Sequence, residues 1–268
     1  MKLTFMKTLK ILTAAFICTL PAHSAGAADK NHELLMLEAA KGIEFLSQKV
    51  TKAYFYKQQG VRPDQAAEDL KHSLVLLQKN LIIIQEGLEK SDKKEKNIAV
   101  FLEYTMNELE DIVGKPYKTE NGALMIDYSE SLLEGAEFIA EGHTNKKDGE
   151  EVVLLSVEYS LFLLERINKL YIAYQAGFQD YNNVAQLKQA VQNFDTTLAQ
   201  INAYTKYAGD TLTSRNQINE FWPVAKEFFI DIQRGALPVI VLASVEKLEK
   251  ELEVLEDFHH HKTTMNRK

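Results

Sequence analysis

FLSQKVTKAYFYKQQGV, residues 45–61, returns 117 positions later as FLLERINKLYIAYQAGF, residues 162–178. Phe, Leu, Lys, Tyr, Gln and Gly recur in the same order. The apolar heptad that follows keeps the same offset: Ala67, Leu70, Leu74, Leu77, Leu81 and Ile84 answer to Val184, Leu187, Val191, Phe194, Leu198 and Ile201. Two copies at a period far above that of solenoid arrays indicate duplication of a folding unit that closes its own core. The expected fold is all-α: two tandem antiparallel four-helix bundles arising from internal duplication.

Working outward from the repeat, apolar residues at Met36, Ala39, Ile43, Leu46, Val50 and Ala53 fall three and four apart, predicting a helix from an N-cap at Asn31 to Gln59. Gly60 stops it, and Pro63 with Asp64 suits the first turn of a second helix running to Leu88. A charged turn at Ser91–Asn97 precedes helices over about 98–113 and 121–141. Residues 28–142 thus form the first expected bundle and 143–149 a linker. Residues 150–258 form the second bundle, with helices over about 150–176, 180–207, 217–234 and 237–258. Each apolar stripe can be hidden only against the others. Pro223 predicts a kink or a late start in the seventh helix, and residues 259–268 read as a polar, frayed tail.

The N-terminus reads as an address. Lys2, Lys7 and Lys10 precede an apolar run from Ile11 to Leu20, and Pro21 with Ala25, Gly26 and Ala27 offers a cleavage site, so residues 1–27 are an expected signal peptide and the mature chain periplasmic or secreted. Cleavage near Ala27 would remove Cys18, the only cysteine, leaving no disulfide and no thiolate chemistry. It would leave 28 Lys and Arg against 38 Asp and Glu, a charge of −10. An acidic chain without a basic stripe argues against nucleic acid, and no later segment is apolar for the length of a membrane span.

The run AAKGIEFLSQKVTKAYFYKQQGV, Ala39–Val61, resembles the signature of the PilJ-type domain, the N-terminal sensory domain of type IV pili methyl-accepting chemotaxis transducers, itself related to the sensory domain of nitrate/nitrite sensor kinases. Leu46, Ser47, Gln48, Lys52, Ala53 and Tyr54 match it directly, with Lys49 in place of arginine and Val50 in place of methionine. The resemblance covers about Leu34–Phe258 and implies tandem bundles with a sensory role. Where the family carries two arginines before the serine, this chain has Gly42 and Glu44, and the second copy has Tyr159 and Leu161. Neither pair supplies a guanidinium fork, so nitrate recognition by that arrangement is not expected.

The expected ligand-binding residues are Ser47, Gln48, Lys49, Lys52, Arg166 and Lys169. The plainer alternative places the polar residues of this helix on a solvent face, with Lys52 and Lys169 covering the rings of Tyr54 and Tyr171. Asp69 with His72, Glu141 with His143, and His259–His261 are too sparse for a metal centre, and no cofactor or nucleophile motif occurs, so the expected protein is not an enzyme. Two functions stay open: a sensor-like module that binds a small ligand or presents it to a membrane receptor, in a chemosensory or pilus-related context, and an envelope adaptor or scaffold acting through protein contacts. A homodimer is a further open arrangement.

Overall fold

The computed structural model describes residues 24–88, 93–144, 149–232 and 235–266, with side chains from residue 32 to 265. Among them are eight helices and no strand: α1 (Ser24–Gln58), α2 (Pro63–Gly87), α3 (Lys93–Val113), α4 (Thr119–His143), α5 (Gly149–Gln175), α6 (Tyr181–Ala203), α7 (Asp210–Ile230) and α8 (Pro238–Asn266). None is long and apolar enough to cross a membrane. The signal-peptide reading rests largely on residues 1–23, which lie outside the described residues, and its cut near Ala27 falls in the first turn of α1. The expected linker lies mostly in 145–148, also outside them. The charged turn is shorter than expected, because Lys93–Asn97 already belongs to α3.

The repeated sequence builds a repeated helix end. Gly60 takes φ 68°, which lets the Val61 N–H reach back to the Tyr56 carbonyl at 3.0 Å and the Gly60 N–H to that of Lys57 at 3.2 Å. At the end of α5, Gly177 takes φ 107°, Phe178 N–H bonds the Ala173 carbonyl at 3.0 Å, and Gly177 N–H that of Tyr174 at 3.1 Å. Both are closing motifs that satisfy the last carbonyls through a residue at positive φ. A Cβ at Gly60 or Gly177 meets no other atom within 4 Å, so the requirement is conformational rather than steric. Gly177→Ala should therefore lower stability by about 1–3 kcal/mol, more than Gly60→Ala in its milder left-handed position, as urea unfolding will show.

Packing follows from the stripes. α1 packs on α2 and α4, and α3 on α4 and α2; α5 packs on α6 and α8, and α7 on α8 and α6. Leu77, Leu81 and Ile84 of α2, and Phe194, Leu198 and Ile201 of α6, are buried at the positions the heptad marks. One core collects mainly α1–α4 and the other mainly α5–α8, where Trp222 lies 4.1 Å from the Phe194 ring and donates its indole N–H to Asp195 Oδ1 at 2.7 Å.

A further contact, between α1 and α5, joins the two cores. It makes α1 and α5 central. Residues 50–56 are buried without interruption, including the consecutive Tyr54, Phe55 and Tyr56, and residues 160–173 are buried throughout except for half-buried Arg166. Helices covered on all sides cannot keep a solvent face. Partners across the contact advance together, Lys52 with Glu165 and Tyr56 with Asn168, so the two helices run parallel and set the two sequence copies side by side.

Besides α3, four elements depart from expectation, the first being α6, which stops at Ala203 rather than running to about 207. α1 begins at Ser24, so Asn31 is internal rather than a cap. α7 begins at Asp210 and runs through Pro223, because Pro removes a single N–H from the helix while Trp222 beside it is held in the core. α8 continues to Asn266, since His259 is buried and bridges Tyr207 Oη at 2.8 Å and Glu150 Oε2 at 3.2 Å. Those two bonds tie the end of α8 to the start of α5 and to the segment before α7. Burial lowers the His259 pKa, against the opposing effect of Glu150.

Candidate functional site

All six residues singled out from the sequence lie along the seam between α1 and α5. Ser47 is buried and donates to the Glu44 carbonyl at 2.7 Å; Gln48, also buried, donates to Ser47 Oγ at 2.9 Å and accepts from Arg166 Nη1 at 3.3 Å. Lys52 reaches across to Glu165, 2.8 Å from Oε1 and 2.7 Å from Oε2. Lys49 lies 3.8 Å from the same carboxylate and 5.3 Å from the centre of the Phe45 ring. Arg166 holds Glu130 of α4 with two bonds, at 2.9 and 2.8 Å, and Gln186 of α6 at 2.9 Å. Lys169 pairs with the same Glu130 and donates to Ser129 Oγ at 3.2 Å.

The solvent-face alternative therefore fails for Ser47, Gln48 and Lys52. The expected cover of Tyr54 by Lys52 is not formed either. Tyr54 packs on Phe55 and Tyr117, with ring centres 5.6 and 6.0 Å away, while both lysines turn their ammonium groups to carboxylates.

The two equivalent lysines differ in their partners because the positions around them differ between the copies. Position 48 is Gln and its counterpart 165 is Glu, so Lys52 finds an acid on α5, whereas Lys169 finds only an amide on α1 and turns to α4. Burial opposes the Lys52 charge, but Glu165, Glu249 and Asp69 outweigh it and hold the ammonium above its usual pKa. For Lys169 burial wins. Helped by Arg166, it pulls the pKa down to about 8 despite Glu130. Burial likewise opposes the Glu130 charge, but Lys169 and Arg166 together hold that carboxyl down to about 2.

Beside the seam lies a cleft of about 350 Å³ between α1, α5 and α8. Phe45 and Phe162 form its apolar wall, with Tyr159 stacked on Phe162 at 5.6 Å and 16°. On the α1 side, Lys41 holds Glu44 at 2.8 Å, and His260 reaches Glu38 at 2.9 Å. Across from them, Glu158 of α5 and Glu249, Glu253 and Glu256 of α8 line the cleft, and none forms an ion pair among the described residues. Burial, reinforced by Glu256, pushes the Glu158 carboxyl up to about 8. Burial with Glu165 beside it does the same to Glu249, over the opposing pull of Lys52 and Lys49. Burial with Asp257 and Glu253 raises Glu256 to about 7. No three His, Cys, Asp or Glu side chains among the described residues converge as a metal would require.

The sequence reading found neither the acid anchors Glu130 and Glu165 nor the carboxylates of α8. Tyr54-Phe55-Tyr56 was the available signal: three consecutive aromatics leave a helix no polar side and so place it at the centre of the molecule. Comparison with known proteins returns no match: no family model, no curated protein and no solved structure is similar to this chain.

Proposed function

We propose that this chain is an exported, non-enzymatic binding module, made of two fused copies of a PilJ-like four-helix bundle, that takes a small ligand in the cleft between α1, α5 and α8. The carrying observation is the cleft itself: about 350 Å³, within the usual range for small ligands, and lined from both copies, with four glutamates that form no ion pair among the described residues. The duplication is supported by the helix ends repeated at Val61 and Phe178, the export by the basic and apolar start of the chain, and the sensory role by the resemblance of Ala39–Val61. The residues of that resemblance act as a clamp. Lys52 with Glu165 and Gln48 with Arg166 fix α1 against α5, while Arg166 and Lys169 hold α5 to Glu130 of α4, and a ligand touching both α1 and α5 biases that clamp, which a membrane receptor docked on the outer helices can read.

A screen of small molecules by thermal unfolding tests this reading. A ligand present at a hundredfold excess over its Kd should raise Tm by about 5 °C or more. Glu253 is exposed at the cleft, so Glu253→Trp should leave the fold intact while an indole across the opening abolishes the shift. If Glu253→Trp leaves every observed shift unchanged, the ligand lies elsewhere. An adaptor role is favoured by another observation: Val75 and Ile82 of α2 and Val100, Phe101 and Tyr104 of α3 remain exposed at 42–66%. In that case no small molecule stabilises the protein, and charged substitutions at Phe101 and Tyr104 abolish capture of an envelope partner without lowering Tm.

A further inference from the structure

Taking the cleft as the ligand site, we propose that its ligand is a small organic cation: an ammonium group, or two, carried on an apolar skeleton. Three observations carry this. The first is charge. Lys41 with Glu44 and His260 with Glu38 are mutually matched, whereas Glu158, Glu249, Glu253 and Glu256 face the same space with no ion-pair partner among the described residues. The second is an acid pair: Glu249 lines the cleft and is hydrogen-bonded to buried Glu165, which raises its carboxyl pKa, and a cation entering there would favour the ionised form of both. The third is the wall. Phe45 and Phe162 already carry a cation each, Lys49 at 5.3 Å and Arg166 at 6.0 Å from the ring centres, and their remaining surface suits methylene or aromatic carbon next to a positive charge.

The alternatives fit less well. An anion would oppose the ionisation of these carboxyls as pH rises through about 7 for Glu256 and about 8 for Glu158 and Glu249, whereas a cation favours it. A metal ion needs ligands converging on one point, and no three acidic or histidine side chains among the described residues do so.

Binding is coupled to protons. In the empty cleft, burial and mutual repulsion keep Glu158 and Glu249 protonated up to about pH 8 and Glu256 up to about 7. Other charges face these groups from every side: Glu38, Lys41, Glu44, Lys49 and Lys52 on α1, Glu165 on α5, and Glu253, Asp257 and His260 on α8. An entering ammonium group favours the ionised carboxylates and so expels protons. Affinity must then rise with pH from 6 to 8.5, while an alkylammonium, with a pKa near that of lysine at about 10.4, stays charged.

The test is calorimetric titration of the full chain with 1,5-diaminopentane and 2-phenylethylamine, with 1,5-pentanediol and glutarate as neutral and anionic counterparts. At least one amine should bind, about tenfold or more tightly at pH 8.5 than at pH 6, with proton release seen as a dependence of the heat on buffer. Glu158→Gln should weaken that amine about tenfold and reduce the protons released. Glu68→Gln, on the exposed side of α2, should do neither. If the diol or glutarate binds in the cleft and is blocked by Glu253→Trp while both amines fail, the ligand class is wrong and the cleft remains a site. If no probe binds, or one binds with its affinity unchanged in Glu253→Trp, the assignment of an amine to this cleft is overturned. The wider screen of Tm shifts then decides whether the cleft binds anything.

Discussion

Lys52→Met should lower the stability of the protein by about 3–5 kcal/mol at neutral pH, one of the two largest effects expected of this chain. The side chain is 5% exposed and its ammonium group lies within 3 Å of both oxygens of Glu165, which is itself fully buried. Removing the lysine leaves a buried carboxylate with Lys49, at 3.8 Å, as its remaining cation. Most of the loss is thus the desolvation of Glu165 left unanswered, not the attraction that is removed. The double variant Lys52→Met with Glu165→Met separates the two: it exchanges an ion pair for apolar contact at similar volume and should recover to within about 1 kcal/mol of the original protein. Denaturant unfolding of the four proteins of this cycle measures the coupling directly. A loss below about 0.5 kcal/mol in the single variant, the size typical of a surface lysine, would falsify the reading of the α1–α5 seam as a buried clamp.

That clamp marks the boundary between what the sequence discloses and what it withholds. The helical class, the heptads of α2 and α6 and the glycine stops at 60 and 177 are local properties, written in spacing and in residues that tolerate positive φ. They appear where the chain says they should. The role of Ser47, Gln48 and Lys52 is not local. On a helix wheel they are polar residues between apolar ones and look solvated; they are buried because a second helix, 113 residues further along, covers them with Glu165. The same holds for the cleft, where Glu158 meets Glu249, Glu253 and Glu256 only because α5 and α8 pack together. A carboxylate on an exposed helix face and one in a closed cleft have the same sequence context. Tertiary contact decides between them, and it also decides the end of α8, where a polar stretch stays helical because His259 finds Tyr207 and Glu150.

The second large effect is a stability profile that falls steeply from about pH 5 to 8. Glu158 and Glu249 have folded pKa values of about 8, and Glu256 of about 7, against 4.5 for an unperturbed glutamate, so between pH 4.5 and 8 the native state holds protons that the unfolded chain has released. Stability contributed by such raised carboxyls is present below pH 4.5 and lost as pH rises through the folded values. His259 acts the other way below pH 6.5, since its folded pKa is depressed, but it is one group against three. A net difference of one proton over two pH units amounts to about 3 kcal/mol, so unfolding free energy should fall by at least that much from pH 6 to 8. Above pH 8 Lys169, at about 8 in the fold and 10.5 unfolded, binds fewer protons folded than unfolded and offsets the descent, but burial raises Tyr54, Tyr56, Tyr171 and Tyr207 above their usual 10.0, so from about pH 9 the native state again holds protons that the unfolded chain releases. On the acid side stability is lost below pH 4.5, as the Glu130 carboxyl, held down to about 2 in the fold, is protonated more readily in the unfolded chain. The curve should therefore have a maximum near pH 5, a descent to about 8, a shoulder where Lys169 offsets the carboxyls, and a renewed fall above about pH 9. Glu158→Gln with Glu249→Gln should flatten the descent between about pH 6 and 8 while leaving the fall above about pH 9 that the tyrosines cause. A native profile that climbs steadily from pH 5 to 8 would mean that these carboxyls are ionised in the folded protein, and that the cleft is better hydrated than its geometry indicates.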